Sequence, residues 1–274
     1  MASGPHSVKL GRGAAPLLLL GGFLNTVVVK RAKARLHSFN HPDETTDIIR
    51  IELHLSEYNR KCRRDPLFPN KILWTDESLF TPNEIFNSKN YVLWQHENPH
   101  AVRKAFFQFR WSLNVWAGIV DNKIIGPYFL PPRLNGELYA KFLENNLPIL
   151  LEDVPLIIRQ ELIYQQDGAP PHFSCRARQV LDNQFADRWI GRGGPIAWPA
   201  RSPDLNVLDY FIWGHIKTQT ENVRDRTLHK VRDANIAAFN TITPDMAHRA
   251  TQQIVRRAEL CLQTQGRHFE QLLR

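Results

Sequence analysis

Two apolar runs in this chain each carry an aspartate where a buried strand cannot leave a charge unattended. "KILWTDESLF" (Lys71 to Phe80) holds Asp76 just after Ile72, Leu73 and Trp74. "LIYQQD" (Leu162 to Asp167) ends in Asp167, directly before "GAPPH". Short apolar runs bounded by turn residues read as buried strands. A carboxylate beside such a strand is costly unless it is paired, caps a turn or binds a metal. For one aspartate, turn capping is the default, and Gly168 with Pro170 and Pro171 supplies turn chemistry for Asp167. Two such residues in one chain shift the balance towards a carboxylate site.

A third acidic position lies in "WPARSPDLNVLDYFIWGHIK" (Trp198 to Lys217). Pro203 and Asp204 signal a turn. Asn206 is placed to cap a helix whose first residue is Val207, with Asp209 in the first turn. Exposed N–H groups and the helix dipole favour a charged Asp209 there. Asp204 is assigned to the turn. Ionised carboxylates on two strands and one helix suit hard cations such as Mg2+ or Mn2+. Such a set can hold two ions roughly 3.5–4 Å apart for phosphodiester chemistry.

Charge points the same way. The 274 residues carry a formal net charge of +8, which suits a polyanionic partner such as nucleic acid. Apolar content of 43% supports a buried core and excludes a disordered chain. Cys62, Cys175 and Cys261 lack the spacing of a zinc site or a disulfide framework, which fits a reducing compartment. An apolar run within residues 13–30 is too interrupted by Gly21, Gly22 and Asn25 for a membrane span, and resembles the apolar part of a signal peptide. "KRAKAR" (Lys30 to Arg35) follows it and reads as a basic cluster.

The remaining pattern predicts a mixed α/β layout. A helix ends near Arg63, with basic residues at its C-terminal end. "NYVLWQH" (Asn90 to His96) reads as a short strand, and Trp111 to Leu130 as a hairpin turning at Asp121-Asn122-Lys123. "NGELYAKFLENNLPILLE" is helical, as is "SCRARQVLDNQF", which starts at Ser174. Two amphipathic helices broken at "TITPD" complete the chain.

Together, "ILWTDESLF", "NVWAGI", "IIGPYFL", "YQQDGAPPHFS" and "WIGRGGPIAWPARSPDLNVLDYFIWG" resemble the catalytic domain of Tc/mariner superfamily transposases, of the mariner-like kind with three aspartates. The resemblance covers roughly residues 60–250. It implies an α/β, RNase H-like fold: a central mixed sheet flanked by helices. It also implies that Asp76, Asp167 and Asp209 are the catalytic metal ligands, with two Mg2+ or Mn2+ ions. The implied activity is metal-dependent cleavage and strand transfer of DNA in the nucleus. The implied partners are transposon ends and target DNA, with a homodimer as an allowed assembly and neither membrane nor small-molecule substrate. The expected organisation is an atypical segment over 1–65 without intact helix-turn-helix domains, a catalytic domain over 66–250 and a C-terminal helix over 251–274.

The chain departs from the family pattern in places. Forty-one residues lie between Asp167 and Asp209, and "FADRWIGRGGPIAWPAR" accounts for the added length. Val207 stands where the family often has proline. The N-terminal segment is read as truncated or replaced. The competing function is a silent or domesticated relic that binds nucleic acid without cutting it. Around the three acids, Arg192, Arg201 and Lys217 are candidate phosphate contacts, and His172 is either one more or structural. Glu77 is expected to point away from Asp76, because successive strand residues face opposite sides. The tryptophans are expected in the core.

Overall fold

The computed structural model describes residues 43–82, 111–199, 202–221, 223 and 226–273. The apolar run, the basic cluster, the expected strand at 90–96 and Arg201 lie outside the described residues. No helix among the described residues is long and apolar enough to cross a membrane.

Five strands form one mixed sheet: β1 (Ile72–Phe80), β2 (Leu113–Val120), β3 (Lys123–Leu130), β4 (Ile163–Gln165) and β5 (Trp189–Ile190). Their order across the sheet is β3-β2-β1-β4-β5. The β2–β3 and β1–β2 pairs are antiparallel, and β1–β4 and β4–β5 are parallel. Every residue of β2 is buried, as an interior strand covered on both faces requires. Gly118 is needed where β2 shifts register. A Cβ there would lie 2.9 Å from Leu73 Cδ1 and 3.2 Å from the Trp116 ring.

Strand alternation sorts the core into two clusters, one on each face. Ile72, Trp74, Val115, Ala117 and Ile119 belong to the first. Leu73, Trp116 and Val120 belong to the second. The first is covered by α1 (Asp43–Arg64), α6 (Trp213–Thr220), α7 (Leu228–Phe239) and α8 (Pro244–Gln263). The second is covered by α2 (Gly136–Asn145), the single turn α3 (Leu147–Leu150) and α5 (Cys175–Gln184), while α4 (Leu156–Glu161) leads into β4. Burying aliphatic and aromatic side chains on both faces is the main stabilising term, about 1.5–3 kcal/mol for each large residue.

Helix starts follow capping chemistry. Asn135, Ser174, Thr227 and Thr243 each accept a backbone N–H from the third residue of the helix that follows. The expected hairpin and the helix begun by Ser174 are present. So are the two C-terminal helices, separated by "TITPD" and each opened by a threonine cap.

Candidate active site

Asp76 lies within β1, opposite Ala117 of β2. Parity places it on the face of Ile72 and Trp74, towards α6. There the Trp213 indole N–H donates to Asp76 Oδ2 at 2.7 Å. The Asp76 pKa is pushed well above the ordinary carboxylate range. Burial is the largest cause, and the negative charges of Asp209, Glu77 and Asp167 add to it against the Trp213 hydrogen bond.

Asp167 follows the end of β4. Parallel pairing sets Ile72 beside Ile163 and Trp74 beside Gln165, so the same register carried on puts Asp167 level with Asp76. One of its oxygens is held locally. Oδ1 accepts the Ala169 N–H at 2.9 Å and contacts His172 Nδ1 at 2.6 Å. The other ring nitrogen of His172 lies 3.3 Å from Glu77 Oε2. Side-chain exposure is 3% for His172, 16% for Glu77 and 47% for Asp167. Burial alone would lower the His172 pKa, but the charge of Glu77 and the hydrogen bonds to both acids raise it to about 10. Burial alone would raise the Asp167 pKa. The His172 hydrogen bond and charge, with the Ala169 N–H, outweigh it and hold Asp167 below its ordinary value.

The third candidate is carried by an irregular segment. Pro203–Leu205 forms a 3-10 turn. Asn206 then holds two elements together: its Nδ2 donates to Thr75 O at 3.0 Å, and its Oδ1 accepts the Leu208 N–H at 3.1 Å. The capping role expected of Asn206 is therefore present, and the same side chain ties the segment to β1 one residue before Asp76. One expectation is corrected. Asp209 does not sit in an α-helical turn but in a π-helical one, Leu208–Ile212, and α6 begins only at Trp213. Tyr210 Oη donates to Ala250 O of α8 at 2.6 Å, and Arg257 of α8 lies 3.9 Å over the Tyr210 ring. Leu208, Tyr210, Ile212 and Trp213 are all buried. A run packed on several sides shows no 3.6-residue periodicity, so the wider turn leaves no signal in the sequence.

Other expectations divide. Glu77 does face away from Asp76, but it has a role there as partner of His172. His172 is closed off from any phosphate, because both ring nitrogens are engaged and the ring packs 4.2 Å from Tyr139. Arg192 reaches the Asp167 turn: a Cβ on Gly168 would lie 3.4 Å from Arg192 Cβ. Lys217 lies 5.7 Å over the Phe80 ring. Trp213 is in the core as expected, yet its N–H serves Asp76, which sequence reading missed. Trp74, Trp116 and Trp189 are buried, and Trp111 and Trp198 are half-buried.

Asp76, Asp167 and Asp209 do not form a single tight cage. Among the described residues, one group of three brings its ligand atoms within 4.8 Å of one another: Asp204, His268 and Glu270. Glu270 of that group already has a cation, Arg257, at 3.2 Å.

No protein-family model matches the chain. In sequence it is similar to the transposable element Tc3 transposase of Caenorhabditis elegans, 22% identical over 199 residues. That alignment takes in 72% of this chain and 57% of the relative, so the chain spans a little over half the relative's length. In structure it is similar to the Mos1 transposase catalytic domain solved with raltegravir and Mn, at a TM-score of 0.64 and 19% identity, covering 85% of this chain and 99% of that one. It is also similar to the Mos1 transposase in a paired-end complex with the left transposon end, at 0.65 and 20%, covering 85% of this chain and 65% of that one. A pre-cleavage Mos1 transpososome gives a TM-score of 0.67 at 20% identity. The fold is RNase H-like, a mixed sheet flanked by helices, and in sequence and structure the chain is similar to transposases of the Tc/mariner kind.

Proposed function

We propose that this chain cuts and joins DNA as the catalytic part of a transposase, with Asp76, Asp167 and Asp209 holding Mg2+ or Mn2+. The observation that carries the reading is the Asp76 carboxyl. It is buried, given one hydrogen bond by Trp213, and placed within the fields of Asp209, Glu77 and Asp167. Concentrating negative charge in a poorly hydrated place is unfavourable unless a cation answers it. A hard divalent ion fits this all-oxygen donor set. Ligands that serve a pair of ions need not converge on one point, so the lack of a single tight cage is compatible with two. When bound, the ions would supply an activated nucleophile and stabilise the leaving oxygen of a phosphodiester.

The chain's own residues do the positioning. Trp213 fixes one oxygen of Asp76. His172, braced by Glu77, and the Ala169 N–H fix one oxygen of Asp167 and leave the other directed elsewhere. Asn206 sets the distance from β1 to the Asp209 turn. The net charge of +8 suits DNA as the partner. The similar Mos1 structures include a strand transfer complex. Transposon ends and target DNA are the proposed substrates, two chains the proposed assembly and the nucleus the proposed location.

The test is nicking of supercoiled plasmid by the purified chain in Mn2+, with EDTA as control. Asp76→Asn, Asp167→Asn and Asp209→Asn should each lower the rate by about 10²–10³-fold. DNA binding without nicking in the unmodified chain, or equal nicking by Asp167→Asn, would overturn the reading.

A further inference from the structure

The loop that lengthens the interval between Asp167 and Asp209 is built, not loose. Gly191 N donates to Ile196 O at 2.9 Å, Gly194 N to Gly191 O at 3.2 Å, and Ile190 pairs with Ile196. At its head the Arg192 guanidinium lies 4.3 Å from the centre of the Phe173 ring. Arg178, from α5, lies 4.7 Å from the same ring. Gly193 makes the approach feasible. Its φ is +76°, and a Cβ there would meet Phe173 Cε2 at 2.9 Å and Arg178 Cδ at 3.3 Å. Phe173 follows His172, and Arg192 lies against Gly168, so the ring and Arg192 border the Asp167 turn, with Arg178 on the same ring.

Neighbouring arginines are engaged in structure. Arg176 pairs with Glu144, and Arg188 donates to the carbonyls of Gln160 and Leu162. Arg178 and Arg192 have no carboxylate partner among the described residues. Arg178 donates weakly to Cys175 Sγ at 3.6 Å, and its buried Nε has no partner there. Arg192 is exposed. Each guanidinium is thus held on the ring with no carboxylate among the described residues to answer its charge, a condition an anion from outside would meet. Guanidinium forks match phosphate oxygens in shape, and stacking on the ring fixes their planes beforehand.

We propose that Arg178 and Arg192, set on Phe173, bind a backbone phosphate of the DNA strand entering beside Asp167. This rests on reading the three-aspartate centre as a DNA phosphoryl-transfer site. The added loop then has a function of its own, which is to carry Arg192 to the ring.

The experiment is fluorescence anisotropy of a labelled DNA duplex, titrated with the full chain in EDTA at several KCl concentrations. Arg192→Gln and Arg178→Gln should each weaken binding roughly tenfold. Each should also reduce the slope of log affinity against log salt by about 1. Arg192→Lys, which keeps the charge, should retain the slope. Melting temperature reports folding in each variant. Unchanged slopes in both glutamine variants would overturn the proposal. So would a loss in Arg192→Lys as large as in Arg192→Gln, because ring packing alone would then explain it. An arginine-dependent slope in a chain that fails to nick DNA would leave the phosphate site standing while the catalytic reading fell. Absence of DNA binding by the unmodified chain would overturn both.

Discussion

Asp76 and Asp167 stand level on adjacent parallel strands, yet the protein treats them in opposite ways. Asp76 is enclosed, receives one N–H from Trp213 and lies within the fields of three other carboxylates, so burial first and their charges next raise its pKa. Asp167 is half exposed and is served by a buried cationic imidazole and a backbone N–H, so its pKa falls. One acid has been left short of positive charge and its neighbour supplied with it. The difference has two sources: burial, which raises Asp76 most, and one histidine, braced by Glu77 on the far face of β1, which serves Asp167 and not Asp76.

Removing that histidine should have the largest effect. His172→Phe keeps the ring against Tyr139 but strands Glu77 and Asp167 together. The metal-free protein should lose about 2–3 kcal/mol in a urea melt, below the usual loss for a broken buried pair because Asp167 is half exposed. An unchanged midpoint would show that the imidazole does not distinguish the two acids.

Next in size, Asp76→Asn should stabilise the metal-free protein near neutral pH, since it removes an acid whose ionised form is disfavoured by burial and by its acidic neighbours. Asp167→Asn should destabilise it. The signs follow from linkage. Asp76, raised on folding, adds stability at low pH that is lost as pH rises through its elevated pKa. Asp167, lowered, adds stability above the ordinary carboxylate range that is lost as pH falls through its own. His172 adds stability that is complete below pH 6.5 and lost as pH rises through about 10. In melting temperature, the gap between Asp167→Asn and the parent should therefore close as pH falls below about 4, while Asp76→Asn should climb above the parent as pH rises from about 4. Parallel curves would break the comparison.

The smallest effect is expected from Glu77→Gln. Glu77 raises both Asp76 and His172, so both pKa values should fall in NMR titrations, while stability changes by under about 1 kcal/mol. A fall in one alone would show that Glu77 does not couple the two faces.

Much of this was legible in residues. The apolar runs around Asp76 and Asp167 marked two buried strands, Ser174 marked a helix start, and strand parity put Glu77 opposite Asp76; that the two strands are neighbours came only from the family resemblance. Asn206 was recognisable as a cap because Asn before an apolar run favours that role. Its bond to Thr75 was not, since it joins segments far apart in the chain. The π turn at Asp209 was hidden by a run apolar on nearly every side. Trp213 as donor to Asp76, and His172 as the link from Glu77 to Asp167, were hidden for another reason. Both depend on which side chains the sheet brings together, and neither residue type announces a partner.

Whether cation binding draws on the elevated Asp76 decides between a metal site and a merely buried acid. Calorimetric titration of the chain with Mn2+ at pH 5.5, in buffers of differing ionisation enthalpy, measures the protons released on binding. The predicted result is net proton release with the parent chain, abolished by Asp76→Asn together with most of the affinity. Binding without proton release, or with release and affinity undiminished in Asp76→Asn, would contradict it.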